Sequence, residues 1–154
     1  MSYKPILVVG GEPNSIFFEI FLKALKKKKI KSPIILIASY KLLMLQMKKL
    51  GFKKAIRLVS LSDLKGVRLN NKSINLLNVN LDQKKPFQKI SSKSNDYINR
   101  SFDIALEILN RKITDKLING PISKKFFLEK KFLGVTEYLA SKNRVKKYAM
   151  LIYN

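Results

Sequence analysis

Residues 116–139, KLINGPISKKFFLEKKFLGVTEYL, decide how the chain is read, because here an apolar run stops at a Gly-Pro pair and polar residues crowd into two short turns. Leu117 and Ile118 read as the tail of a buried strand that Gly120-Pro121 cannot continue, and Ser123-Lys124 opens the next helix. In open α/β sheets the carboxyl end of a strand is where ligands bind. A second turn follows at Gly134-Val135-Thr136-Glu137, and a helix resumes over Tyr138 to Lys142. A hydroxyl and a carboxylate therefore sit at a helix start, where free backbone N–H groups and the dipole favour an anion such as a phosphate ester. From spacing alone, Gly120-Pro121 reads first as an ordinary turn and Thr136 as an N-cap.

Upstream, Pro5 to Gly10 (PILVVG) is an apolar run that closes on Gly10-Gly11-Glu12-Pro13-Asn14-Ser15 before helical spacing begins. Ile16, Phe17, Ile20, Phe21, Ala24 and Leu25 form the predicted buried face, with Lys26 to Lys29 at the negative end of the helix dipole. A dinucleotide fingerprint is excluded, since no glycine follows Gly11 until Gly51 and the G-x-G-x-x-G spacing is missing. Glu12 is either a site carboxylate at a strand end or a carboxylate stabilised by the helix dipole. Pro33 to Ala38 repeats the buried-strand pattern. Tyr40 to Leu50 is a helix with Met44, Met47 and its leucines in the core and Gly51 as its cap, and Ala55 to Val59 is a third strand. This β-α-β-α-β alternation predicts a three-layer αβα arrangement around a mostly parallel sheet.

Further along, Ser73 to Val79 reads as a strand, residues 81–94 as a loop, and Asn95 to Lys112 as a helix with Ile98, Phe102, Ala105, Leu106 and Leu109 on one face. Residues 147–153 are expected to form another buried strand. A parallel strand with no helix after it leaves part of a sheet face uncovered, so residues 1–154 are expected to be one α/β portion of an incomplete domain.

Composition narrows the chemistry. At 154 residues a chain of this size hides roughly 70% of its unfolded surface on folding, enough for one core. Cysteine and histidine are both absent, which removes disulfides, thiolate metal sites and the commonest general base, and leaves hydroxyls, lysines and ten carboxylates. Neither a membrane span nor a secretory leader is legible, so the expected location is the cytoplasm. The net charge of +22 suggests a nucleic-acid partner at first. However, the lysines are dispersed and arginine is confined to Arg57, Arg68, Arg100, Arg111 and Arg144, so a general lysine bias is the preferred explanation.

Asn119-Gly120-Pro121-Ile122-Ser123-Lys124, followed by Gly134-Val135-Thr136-Glu137-Tyr138-Leu139-Ala140, resembles the paired motifs of the 4-hydroxythreonine-4-phosphate dehydrogenase family. Those motifs are (T/G)-(A/G)-P-(I/V)-x-K and G-H-T-E-(F/Y)-(L/F)-A, and Val135 takes the place of the histidine. Gly11, Glu12, Pro13, Ile16 and Glu19 also match the family's opening G-(D/E)-P-x-G-I-G-P-E signature, in which Ser15, Phe17 and Phe18 replace two glycines and a proline. The resemblance implies a fold like that of isocitrate and isopropylmalate dehydrogenases, of which this chain covers about the first half. It also implies a homodimer using NAD and a divalent metal to oxidise and decarboxylate 4-phosphooxy-L-threonine on the way to pyridoxal phosphate. By position it assigns Thr136 and Val135 to substrate contact; Lys124 pairs with substrate phosphate or carboxylate, or is simply an exposed helix-start lysine.

In the family the metal-binding histidines lie beyond the end of this chain. The expected function is therefore a truncated or divergent dehydrogenase, inactive alone. The alternatives are a non-catalytic remnant that binds a partner through an uncovered sheet face and a basic nucleic-acid-binding domain.

Overall fold

The computed structural model describes residues 3–27 and 29–151. Five strands, β1 (Ile6–Val9), β2 (Ile34–Ala38), β3 (Ile56–Leu58), β4 (Ile74–Asn78) and β5 (Leu117–Asn119), form one parallel sheet in the order β3-β4-β2-β1-β5. The first connection steps from β1 to β2 in one direction, whereas β5 returns to the other side of β1. The strand order thus reverses between β1 and β5, and in open α/β sheets the carboxyl edge at such a reversal is where ligands bind.

Alternation along the strands splits the core in two. Leu7, Val9, Ile35, Ile37 and Leu77 face helix α3 (Asn95–Asn110), with α4 (Val135–Lys142) and a π-helical turn at Lys124–Leu128 on the same side. Val8, Leu36, Ala38, Ile74 and Leu76 face α1 (Phe17–Lys27) and α2 (Tyr40–Lys49). Both faces of the central strands are buried, which is why β2 reads as an unbroken apolar run. The three-layer αβα arrangement predicted from the alternation is the one observed.

Several local expectations are corrected. Helix α1 buries Phe18, Phe21 and Leu22, whereas Ile16, Ile20 and Ala24 are exposed. The Ser15 hydroxyl accepts from the Phe17 N–H, so Ile16 stands in the turn ahead of the helix and the inward stripe begins at Phe18. Met44 is likewise exposed, and the fully buried Gln46 takes an inward place in α2. Ile118 is 53% exposed because β5 is an edge strand. Ser123 caps a π-helical turn rather than an α-helix, accepting from the Phe126 N–H at 3.2 Å.

The strand expected over 147–153 is absent in its described part, 147–151, and Ile152 and Tyr153 lie outside the described residues. After α4 the chain turns at Asn143-Arg144, with Arg144 at φ +53°, and Tyr148, Met150 and Leu151 are exposed. An apolar run becomes a strand only where a neighbouring strand offers a ladder, and none runs alongside this segment among the described residues.

Candidate functional site

At the carboxyl edge, beside the reversal of strand order, two backbone turns are in direct contact. Gly120 N–H donates to the Val9 carbonyl at 2.7 Å, and Glu12 N–H donates to the Pro121 carbonyl at 2.8 Å. Side chains are excluded between them. A Cβ on Gly11, whose φ is +68°, would stand 2.4 Å from the Pro121 oxygen, and one on Gly120 would stand 2.4 Å from the Gly10 oxygen. The opening turn and the Gly-Pro turn, more than a hundred residues apart, are thus one structural unit.

Phe17, one of the residues that replace glycine or proline in the opening signature, closes over this unit. Its Cδ2 lies 2.9 Å from where a Gly120 Cβ would be, and its ring stacks on Phe21 with centroids 5.9 Å apart. The bulk expected of that replacement is realised as an aromatic lid on the Gly-Pro turn.

Glu12 is 3% exposed. Its Oε1 accepts from the Asn14 N–H at 3.2 Å and from the Ser94 hydroxyl at 3.3 Å. Burial pushes its carboxyl above the ordinary value, and the bonds from Asn14 and Ser94 only partly oppose that. Nearby, the Tyr97 hydroxyl accepts from the Ser39 N–H at 3.3 Å. Burial, with a smaller push from the Glu12 charge, takes this phenol up to about 12.

Around Glu12 the long loop after β4 folds back over the opening turn. Asn14 Oδ1 accepts from Gln83 Nε2 and from the Gln88 N–H, both at 2.9 Å, and Gln46 Nε2 donates to the carbonyls of Pro13 and Pro86. Of these polar groups only Glu12 was foreseen. Gln46 carried a usable clue, a polar residue at a core-facing position of an apolar helix.

The second bend is tied to the same side of the sheet by aromatic packing. Tyr138 of α4 meets Phe127 of the π-helical turn edge-on, with centroids 5.1 Å apart, and Phe102 of α3 at 5.5 Å. Its hydroxyl donates to Asn99 Oδ1 at 2.6 Å. Gly134, not Thr136, is the N-cap of α4, and Thr136 sits half-buried in the first turn. Val135 packs into the apolar cluster that also holds Ile122, just after Gly120-Pro121, and Lys124 is exposed at the head of the π-helical turn. The structure therefore gathers Val135 and Ile122 into one cluster, with Thr136 and Lys124 at the starts of the two segments that flank it.

The profile of the family described as pyridoxal phosphate biosynthetic protein PdxA matches residues 29–154. The chain belongs to the PdxA family. The PdxA match includes the Gly120-Pro121 and Gly134–Ala140 motifs and leaves out the degraded opening signature.

Solved structures similar to the chain include 4-hydroxythreonine-4-phosphate dehydrogenases from Burkholderia phymatum (TM-score 0.80, 21% identity, 96% of this chain and 46% of that one) and Klebsiella pneumoniae (0.81, 21%, 99% and 47%). A provisionally named one from Salmonella typhimurium is also similar (0.84, 22%, 99% and 48%). These likenesses show that the PdxA fold extends through the N-terminal residues as well. The chain spans just under half the length of each of these structures. No curated protein matches it.

Among the described residues, no three His, Cys, Asp or Glu side chains gather closely enough to hold a metal ion. The donors among the described residues do not fit the divalent cation that the resemblance implies. No helix among the described residues is long and apolar enough to cross a membrane.

Proposed function

We propose that this chain is the N-terminal half of a 4-hydroxythreonine-4-phosphate dehydrogenase, acting in the cytoplasm as part of a homodimer in pyridoxal phosphate biosynthesis. Its role in this reading is to hold the phosphorylated amino-acid substrate. NAD and a divalent metal carry out the oxidation and decarboxylation, and their ligands lie outside this chain. The observation that carries the reading is the backbone contact of Gly10-Gly11 with Gly120-Pro121 at the point where the strand order reverses.

Within that half, Thr136 supplies a hydroxyl and α4 supplies unpaired N–H groups of its first turn to the anionic substrate. Lys124 adds a cation from the neighbouring turn. Glu137, also in the first turn of α4, opposes the anion there and weakens binding. Val135 keeps the packing of the cluster but offers no donor where the family motif has histidine, which weakens it further.

The test is titration of the chain with 4-phosphooxy-L-threonine, followed by NMR. Weak saturable binding is expected, with Thr136→Val and Lys124→Ala each lowering affinity about threefold to tenfold. Unchanged affinity in both variants removes these residues from the site. NAD-dependent turnover by the pure chain would overturn the placement of the metal ligands elsewhere.

A second reading, a non-catalytic remnant that binds a partner, draws on the open edge of β5 and the exposed Ile16, Ile20 and Ile118. Full-length relatives that keep the substrate titration but lose turnover on Val135 substitution for histidine would favour it.

A further inference from the structure

A cavity lies at the opposite edge of the sheet from the two turns, where the strands begin. It holds about 880 Å³ and is walled by the segments that enter β1, β2 and β5 and by the β3–β4 connection. That volume is within the range of small-molecule sites, about 300–1,000 Å³.

Five cations line it from three separate segments: Lys31 before β2, Lys65 and Arg68 between β3 and β4, and Arg111 and Lys112 after α3. No carboxylate lines it among the described residues. Outside the lining, Glu107 pairs with Arg111, and Asp63 accepts from the hydroxyls of Ser60 and Ser62, so Lys31, Lys65, Arg68 and Lys112 are the cations that face the hollow without a carboxylate in its wall. Two of the chain's few arginines are here, and Arg57 reinforces the wall by donating to the Arg68 carbonyl at 3.0 Å. A general lysine excess does not explain arginines converging on a hollow from different segments. Between the cations the lining mixes apolar Pro5, Ile30, Pro33, Leu69 and Ile113 with the amides of Asn70 and Asn71.

The walls are pinned by side-chain amides. Asn71 accepts from the Ile34 N–H at 2.9 Å and donates to the carbonyls of Ile30 and Ser32. Asn75, buried on β4, donates to the carbonyls of Ile34 and Asn70, both at 2.8 Å. On the far wall the Thr114 hydroxyl donates to the Pro5 carbonyl at 2.5 Å. Loops held this way lose little freedom when a ligand enters.

We infer that this cleft is a binding site for a phosphorylated small molecule of the size of a mononucleotide. Arg68 and Lys65 take the phosphate, Arg111 adds charge from its pair with Glu107, and the proline and aliphatic side chains take the body. An adjoining hollow of about 350 Å³ carries Lys29, Lys54 and Lys72, so a single-stranded nucleic acid is the competing occupant. A volume within the small-molecule range and cations that gather on one hollow favour the small molecule.

The test is calorimetric titration of the chain with adenosine monophosphate in 150 mM salt, beside inorganic pyrophosphate and a ten-nucleotide single-stranded DNA. Saturable one-to-one binding of the mononucleotide is expected, tighter than that of pyrophosphate, with amide shifts at residues 64–71 and 111–113. Arg68→Ala with Arg111→Ala is expected to lower the affinity about tenfold or more, as loss of charge-assisted bonds does. Lys65→Glu, at the exposed end of the short 3-10 turn Asp63–Lys65, is expected to lower it by a similar factor should the arginine variant fail to fold. The charge-matched control Lys48→Ala with Lys49→Ala, on α2, leaves it unchanged. Absence of saturation, an equal loss in the control, or DNA binding with steep salt dependence in place of mononucleotide binding overturns the assignment. None of these outcomes bears on the substrate titration, which reads the other edge of the sheet.

Discussion

At Gly11 two independent penalties meet, a left-handed φ of +68° and a Cβ position 2.4 Å from the Pro121 carbonyl oxygen. Gly51, at φ +64°, has open space around its Cβ position, so it isolates the first penalty. Gly51→Ala is expected to cost about 1–2 kcal/mol of backbone strain. Gly11→Ala is expected to cost about 3 kcal/mol or more, since overpacking against backbone adds to that strain. Urea unfolding of the two variants measures the difference, and equal losses would show that the turns do not press on each other. Glu12 makes a second prediction. Its folded carboxyl is raised by burial above its ordinary 4.5, so folding takes up a proton there. Its contribution is most favourable below pH 4.5 and declines as the pH rises through the raised value. Glu12→Gln keeps an oxygen for Asn14 and Ser94 but cannot ionise, so its thermal midpoint should exceed that of the parent at pH 7 and converge with it near pH 4. A parent that gains stability from Glu12 as the pH rises would reverse the sign. At this scale the sequence announced Gly11, Glu12 and Gly120 as turn residues, but not their contact, because no local pattern encodes a meeting across more than a hundred residues.

Among the elements, α4 depends on its neighbours most. It has eight residues, no side-chain N-cap bond and a glycine at its start, so its own hydrogen bonds do not sustain it in isolation. Tyr138 fixes it, through rings on Phe102, Phe127 and Phe132 and through the hydroxyl on Asn99, while Lys142 pairs with Asp103. Tyr138→Phe is expected to cost about 1 kcal/mol, the usual worth of one hydrogen bond. Tyr138→Ala is expected to cost about 3–5 kcal/mol and to release α4 first, visible as loss of amide protection over 135–142 before the sheet. Equal protection across the chain in the alanine variant would mean that α4 and the sheet unfold as one unit. The elements themselves were readable from apolar runs and turn residues. The inward faces of α1 and α2 were not, since Ile16, Ile20 and Met44 satisfy the helical spacing as well as the residues buried instead.

For the molecule as a whole, a charge of +22 on 154 residues is a repulsive load that the native ion pairs do little to relieve. The described pairs, such as Lys4–Asp115 and Lys41–Asp82, lie mostly on the surface, where each contributes little. Raising sodium chloride from 10 mM to 300 mM is therefore expected to increase the thermal midpoint, because screening weakens repulsion over distances longer than about 6–10 Å. A midpoint that falls would mean that attractive pairs outweigh the repulsion. The sequence by itself determined the class of fold and the order of its strands and helices, since those follow from the period of apolar residues and from glycine and proline at the breaks. It also determined the family, through two motifs at a set separation. Only the tertiary structure decided that β5 returns beside β1, that the opening turn locks onto the Gly-Pro turn, that residues 147–151 pair with no strand, and that a basic cleft forms where the strands begin. Each of these depends on which distant segments become neighbours, which the energy of the assembled core sets and no local stretch of residues records.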